Sequence, residues 1–173
     1  MQYWNSCRAG RKMPTRADIS PWDIPRLLPN IGLIDVVETP ARFRFRLLGS
    51  EIDRLFGESL SNVYLDALPA TQYGNRMVEL YRQCVDWKQI VINQGLYRRG
   101  DMPAVELDQL LLPLSGGAAV NIILTLIDFR APDTQDQVNL PKAAAGERID
   151  FANSNETFIS LNDSAVNALL DPN

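Results

Sequence analysis

Hydrophobic and polar positions change period several times along the chain, and each change predicts an element. Phe43-Arg44-Phe45-Arg46-Leu47-Leu48-Gly49 begins with strict alternation. Period two puts Phe43, Phe45 and Leu47 on one face of a strand and Arg44 and Arg46 on the other. Just before it, Ile31 to Val37 is apolar and β-branched, interrupted by Gly32 and Asp35. Thr39-Pro40-Ala41-Arg42 reads as a turn, so the two runs predict an antiparallel hairpin with one buried face. Ser50, with Asp53 three positions on, predicts the cap of a short helix whose stripe is Ile52, Leu55 and Phe56. Gly57 suits its end. Leu60 to Pro69 reads as loop with at most one turn. From Thr71 to Trp87 the period becomes helical, with Met77, Leu80, Tyr81, Cys84, Val85 and Trp87 on a broad apolar face.

Three further strands follow: Ile90 to Arg98, Val105 to Ser115 and Val120 to Arg130. Arg99-Gly100-Asp101 separates the first two as a turn signal, which outweighs its likeness to an adhesion triplet. The last strand is apolar on both faces, with Val120, Ile122, Leu124 and Leu126 on one and Ile123 and Ile127 on the other. Such a strand is normally central and covered from both sides. Helices between strands can cover one side. The other needs a lid or a partner subunit.

Residues 19 to 29 offer that lid. Pro21, Pro25 and Pro29 are spaced by one helical turn, but an interior proline removes a hydrogen bond and clashes with the preceding turn. Ser20 is a good cap and Pro21 a good first helical residue. The segment therefore reads as one or two single turns. Trp22, Ile24, Leu27 and Leu28 would anchor it to a folded surface. A single turn has no stability of its own.

Composition narrows the chemistry. The chain has 173 residues, 46% of them hydrophobic and 22% charged, which suits a single globular domain. No apolar run approaches the roughly 18–20 residues that span a bilayer. The N-terminus lacks an apolar signal core, so the expected location is cytoplasmic. Two cysteines, Cys7 and Cys84, are too few for a disulfide framework. There is no histidine. That removes Ser-His-Asp and Cys-His catalysis and histidine-held zinc or haem from within this chain.

The net charge is −4, unevenly spread. Arg8, Arg11, Lys12, Arg16 and Arg26 make the first thirty residues basic. The region from Ala131 onward is acidic and polar. Residues 1–18 therefore read as a basic N-terminal arm, a solvated lead-in without interleaved aromatics. Residues 19–131 read as the domain, and 132–173 as an acidic C-terminal linker or tail with a possible short helix over 163–170. The acidic balance argues against nucleic acid as a partner.

No catalytic motif appears. Ser115-Gly116-Gly117 has no base histidine, and no glycine-rich phosphate loop is present. Glu106 and Asp108 lie two apart on one strand face, which suits a solvated surface. Arg44 and Arg46 could hold an anion, but an exposed face or a salt bridge to Glu106 or Asp108 explains them as well.

The element order predicts an α+β fold: a five-stranded antiparallel sheet with helices inserted between strands 2 and 3, preceded by a proline-rich capping segment. Three stretches, "GRKMPTRADISPWDIPRLLPNIGLIDV", "RFRFRLLGSEIDRLFGESLSNVYLDAL" and "LLLPLS", resemble a PAS-like sensory domain family of alphaproteobacterial type over about residues 8 to 130. The resemblance rests on Pro14, Arg16, Asp18, Ile19, Pro25, Leu28 and Pro29, followed by Arg46, Leu47, Gly49, Phe56 and Gly57. It implies a small, typically dimeric sensory or interaction module without enzymatic activity.

Family relatives that hold haem use histidine, and those that attach flavin covalently use a motif cysteine. Neither is matched here, so both are disfavoured and the cofactor stays open. Expected partners are a second copy, another signalling protein or a small molecule. A ligand pocket would lie between the sheet face bearing Phe43, Phe45, Leu47, Leu112, Ile122 and Leu124 and the helical side bearing Phe56, Tyr64, Met77 and Tyr81. A plainly packed core is the competing reading. An interface would use Trp22, Ile24, Leu27, Ile123 and Ile127.

Overall fold

The computed structural model describes residues 2–37, 40–68, 72–97, 105–130 and 159–160. The predicted strands are β1 (Ile31–Val37), β2 (Arg42–Leu48), β3 (Val91–Tyr97), β4 (Val105–Leu114) and β5 (Ile122–Arg130). All their pairings are antiparallel, in the spatial order β2-β1-β5-β4-β3. A two-residue strand β6 (Ile159–Ser160) pairs with the free edge of β3. Between β2 and β3 come α2 (Ser50–Phe56) and α3 (Gln72–Trp87). The expected α+β architecture, with helices inserted after the second strand, is the one observed. The expected helix over 163–170, most of the 132–173 tail and the Arg99-Gly100-Asp101 turn lie outside the described residues.

One helix was not expected. Residues Gln2–Arg8 form α1. Trp4 is only 5% exposed, and Met13 and Ile19 are also buried. The solvated arm expected over 1–18 is therefore replaced by a packed segment. Its docking follows from strand lengths. β3 pairs with β4 only as far as Leu111, so the end of β4 keeps an open edge. There the Trp4 indole N–H donates to the Pro113 carbonyl at 3.2 Å, and the Ser115 N–H donates to the Pro14 carbonyl at 2.9 Å. Proline is tolerated at position 113 because no strand needs its missing N–H on that side.

The proline-marked stretch forms 3₁₀ turns at Arg16–Asp18, Pro21–Asp23 and Pro25–Asn30. Pro21 and Pro25 each open a turn, where an N–H would have no intrahelical partner. The expected single turns are present, tightened to 3₁₀ geometry. Asn30 closes the segment by donating from Nδ2 to the Ile127 carbonyl at 2.9 Å.

Ser50, expected from the sequence to cap α2, is instead its first residue. Gly49 is the N-cap. Its Cα lies against the backbone carbonyls of Leu28 and Pro29, where a Cβ would collide. Gly57 ends the helix at φ 72°, the left-handed conformation that glycine adopts most easily.

Candidate functional site

Strand register decides which side chains share a face. Ile34 lies opposite both Phe45 and Ile123, Pro113 lies opposite Ile123, and Gln109 opposite Ile127. These residues face α2 and α3. The Phe43 ring meets Tyr81 of α3 edge-on at 5.2 Å, and Phe56 meets Tyr97 at 6.0 Å. Phe43, Phe45, Phe56, Met77 and Tyr81, expected around a pocket on this side, are all buried here.

The other expected members are elsewhere. Leu112, Ile122 and Leu124 point to the opposite face, beneath the N-terminal segment. Ile123 and Ile127, expected at an interface, are buried on the helix side. The two faces of β5 were thus assigned the wrong way round. Both are apolar, so periodicity separates them without saying which one meets the helices.

Leu47 is the second correction. A bulge interrupts β1–β2 pairing, where Leu33 pairs with Leu47 but Ile34 pairs with Phe45. The extra residue shifts the alternation by one. Leu47 is 49% exposed, and Leu48 takes the interior place at 9%. Tyr64 is half-buried outside the helical layer. It bridges to Arg44 at the β2 edge, with the Arg42 guanidinium 4.4 Å from its ring centroid.

The helix-facing side carries a buried polar row, Asn93, Gln109 and Thr125, in an otherwise apolar layer. Gln109 Nε2 donates to Thr125 Oγ1 at 3.2 Å. Asn93 Oδ1 and Gln109 Oε1 find no hydrogen-bond donor among the described residues. A buried acceptor left so costs about 1–3 kcal/mol. The phenol of Tyr81 is pushed well above its ordinary pKa by burial, then by neighbouring Cys84. Burial also raises the Cys84 thiol, which stays protonated and lacks nucleophilic character. Sequence reading missed Asn93 and Gln109. The signal was available, since both are amides at inward positions of strands whose neighbours are apolar.

The opposite face holds a cavity of about 60 Å³ between the sheet and the N-terminal segment. Its floor includes Ile31, Leu112 and Leu124, and its roof Trp4, Ile24 and Leu27. Ile24 and Leu27 thus cover the sheet, as the lid reading expects, while Trp22 projects outward at 90% exposure.

The arginine pair has a partner that sequence reading did not consider. Asp35, 3% exposed, lies opposite Arg44. Its carboxylate meets Arg44 Nη2 at 2.6 Å and Arg46 Nε at 2.7 Å. The hydrogen bond to Asp35, then its charge, raises the Arg44 pKa. Glu106 and Asp108 are out of reach because β1 and β5 lie between β2 and β4. Asp108 instead accepts from Gln94 at 2.7 Å and pairs with Arg130.

Among the described residues, no group of three or more acidic, cysteine or histidine side chains is placed to hold a metal. No helix among them is long and apolar enough to cross a membrane.

A five-stranded antiparallel sheet in the order 2-1-5-4-3, with helices inserted after β2, is the architecture of a PAS domain. The family comparison agrees, matching residues 1–126 to the PAS domain family. The chain belongs to that family. No curated protein and no solved structure matches it. PAS domains are sensory and signalling modules, typically without catalysis of their own.

Proposed function

We propose that this chain is a non-enzymatic, cytoplasmic bacterial signalling module of the alphaproteobacterial PAS type. It acts by protein–protein interaction, in the first instance by pairing with a second copy. The observation that carries this reading is Trp22. Its indole stands 90% exposed on a segment whose neighbours Ile24 and Leu27 are docked on the sheet. Leu27 and Leu28, on the following turn, are partly exposed too. A rigidly presented tryptophan flanked by aliphatic side chains is the residue type that most often dominates an interface.

Ile123 and Ile127 drop out of this reading, because they are interior. Sedimentation across a concentration series tests it. Wild type should self-associate, and Trp22→Ala should weaken association by about thirtyfold or more, the equivalent of at least roughly 2 kcal/mol. A wild-type protein that stays monomeric at millimolar concentration would refute pairing.

A second reading, a small-molecule sensor, is favoured by the buried acceptors of Asn93 and Gln109. A ligand presenting hydrogen-bond donors between sheet and helices would satisfy them. Native mass spectrometry of freshly purified protein tests this. A retained small molecule that is lost in Gln109→Leu supports the sensor, and an unliganded mass in both proteins counts against it.

A further inference from the structure

We infer that a second copy's Trp22, together with its neighbour Asp23, seats on Arg44, Arg46 and Leu47 at the β2 edge of the outer sheet face. This contact presupposes the self-pairing proposed above and supplies its other half, the surface that receives the tryptophan.

The receiving surface is assembled by strand register. Ile34 faces the helices, so Leu33 and Asp35 on either side of it face outward. Leu33 lies opposite Leu47 and Asp35 opposite Arg44, which puts Leu47 and Arg44 on the outer face too. Arg46 is the extra residue at the bulge, and its Nε reaches the same Asp35 carboxylate at 2.7 Å. The N-terminal segment covers Leu112 and Leu124 but leaves these three side chains open. Leu47 is 49% exposed, and the Arg44 and Arg46 side chains are 37% and 48% exposed.

Asp35 holds both guanidinium groups in place without exhausting them. Two positive charges meet one negative charge, an excess of one. The two groups carry about ten N–H donors, against about four acceptor positions on one carboxylate. The result is a fixed, half-solvated cationic fork beside an aliphatic side chain. Such a surface fits the face of an indole, which attracts a guanidinium, with a carboxylate next to it.

Trp22 and Asp23 present those two groups on adjacent residues. Trp22 has no seat on its own chain at 90% exposure. Ile19 and Ile24 on either side of it line the cleft beneath the segment, and Pro21 and Pro25 fix φ close by. The indole is thus held out from a stiff support. Asp23 is exposed, accepts from the Tyr3 hydroxyl at 3.1 Å and pairs with no cation among the described residues. In a twofold pair each copy gives this contact once and receives it once.

Sedimentation across a concentration series tests the seat. Leu47→Asp should weaken pairing by about tenfold or more, and Arg46→Gln and Asp23→Asn by about threefold each. All three residues are exposed, so each variant should melt as cooperatively as wild type. Should Leu47→Asp fail to fold, Leu47→Gln takes its place. A mixture is the decisive measurement. Trp22→Ala keeps the receiving surface and Leu47→Asp keeps the tryptophan, so a mixed pair regains one of the two contacts. The mixture should associate more tightly than either variant alone. Unchanged pairing in the Leu47, Arg46 or Asp23 variant, or a mixture no tighter than its components, overturns this surface. Self-association then still stands wherever Trp22→Ala weakens it, whereas a wild type that stays monomeric removes both.

Discussion

Leu47 and Leu48 are adjacent and chemically identical, yet only one supports the core. The bulge between β1 and β2 turns Leu47 outward and Leu48 inward. Leu48→Ala should destabilise the domain by about 2–5 kcal/mol, whereas Leu47→Ala should stay within about 0.5 kcal/mol. Chemical denaturation of the two variants checks this, and equal losses would contradict the bulge.

Gly49 is a comparable case. Its missing Cβ makes room for the Leu28 and Pro29 carbonyls, and its N–H donates to the Ile31 carbonyl at 2.8 Å. That one position joins the proline segment, β1 and α2. Its glycine was legible as a strand terminator, but the reason for it was not. The reason is a contact with residues twenty positions away in the chain. The Asp35 carboxylate shows the same limit. Nothing local marks an aspartate inside an apolar strand as the partner of two arginines on the next one.

The N-terminal segment is the element whose structure departs furthest from expectation. Its first 3₁₀ turn is closed by Asp18. The carboxylate accepts from the Thr15 hydroxyl and the Thr15 N–H, both at 2.7 Å, and from Arg11 at 2.8 Å. These bonds, the Thr15 hydroxyl first, hold the Asp18 pKa below its ordinary 3.8. A depressed carboxylate stabilises the folded form above its unfolded pKa and loses that contribution as pH falls through the folded value. The turn should therefore loosen only below pH 3.8. Hydrogen exchange at the Asp18 and Ile19 amides, followed downward from about pH 5, should show protection falling in that range. In Asp18→Asn the fall should vanish. A fall of the same size in the variant would exclude Asp18 as its cause. The elements formed by proline, the 3₁₀ turns, were readable because proline acts locally. The helix before them was not. Its basic residues suggested solvent, and Trp4, which lies ahead of the first of them, was passed over.

For the molecule as a whole, the sheet is covered on both sides: by α2 and α3 on one, and by its own N-terminus on the other. Deleting residues 1–18 should uncover Leu112 and Leu124 and remove the burial of Trp4 and Met13. We expect a loss of at least about 3–5 kcal/mol, the scale of a large core truncation, together with binding of a hydrophobic dye. A solvated arm would make the same deletion silent in a thermal melt.

Strand positions, the positions of α2 and α3 and the antiparallel α+β order were readable from the chain. Hydrophobic period, proline and glycine act within a few residues, and their meaning does not depend on distant neighbours. The assignment of the two faces of β5, the outward turn of Leu47, the partner of Arg44 and Arg46, and the cavity beneath Trp4 were settled only in three dimensions. Each depends on register between strands far apart in sequence, and a one-residue slip in register exchanges one face of a strand for the other.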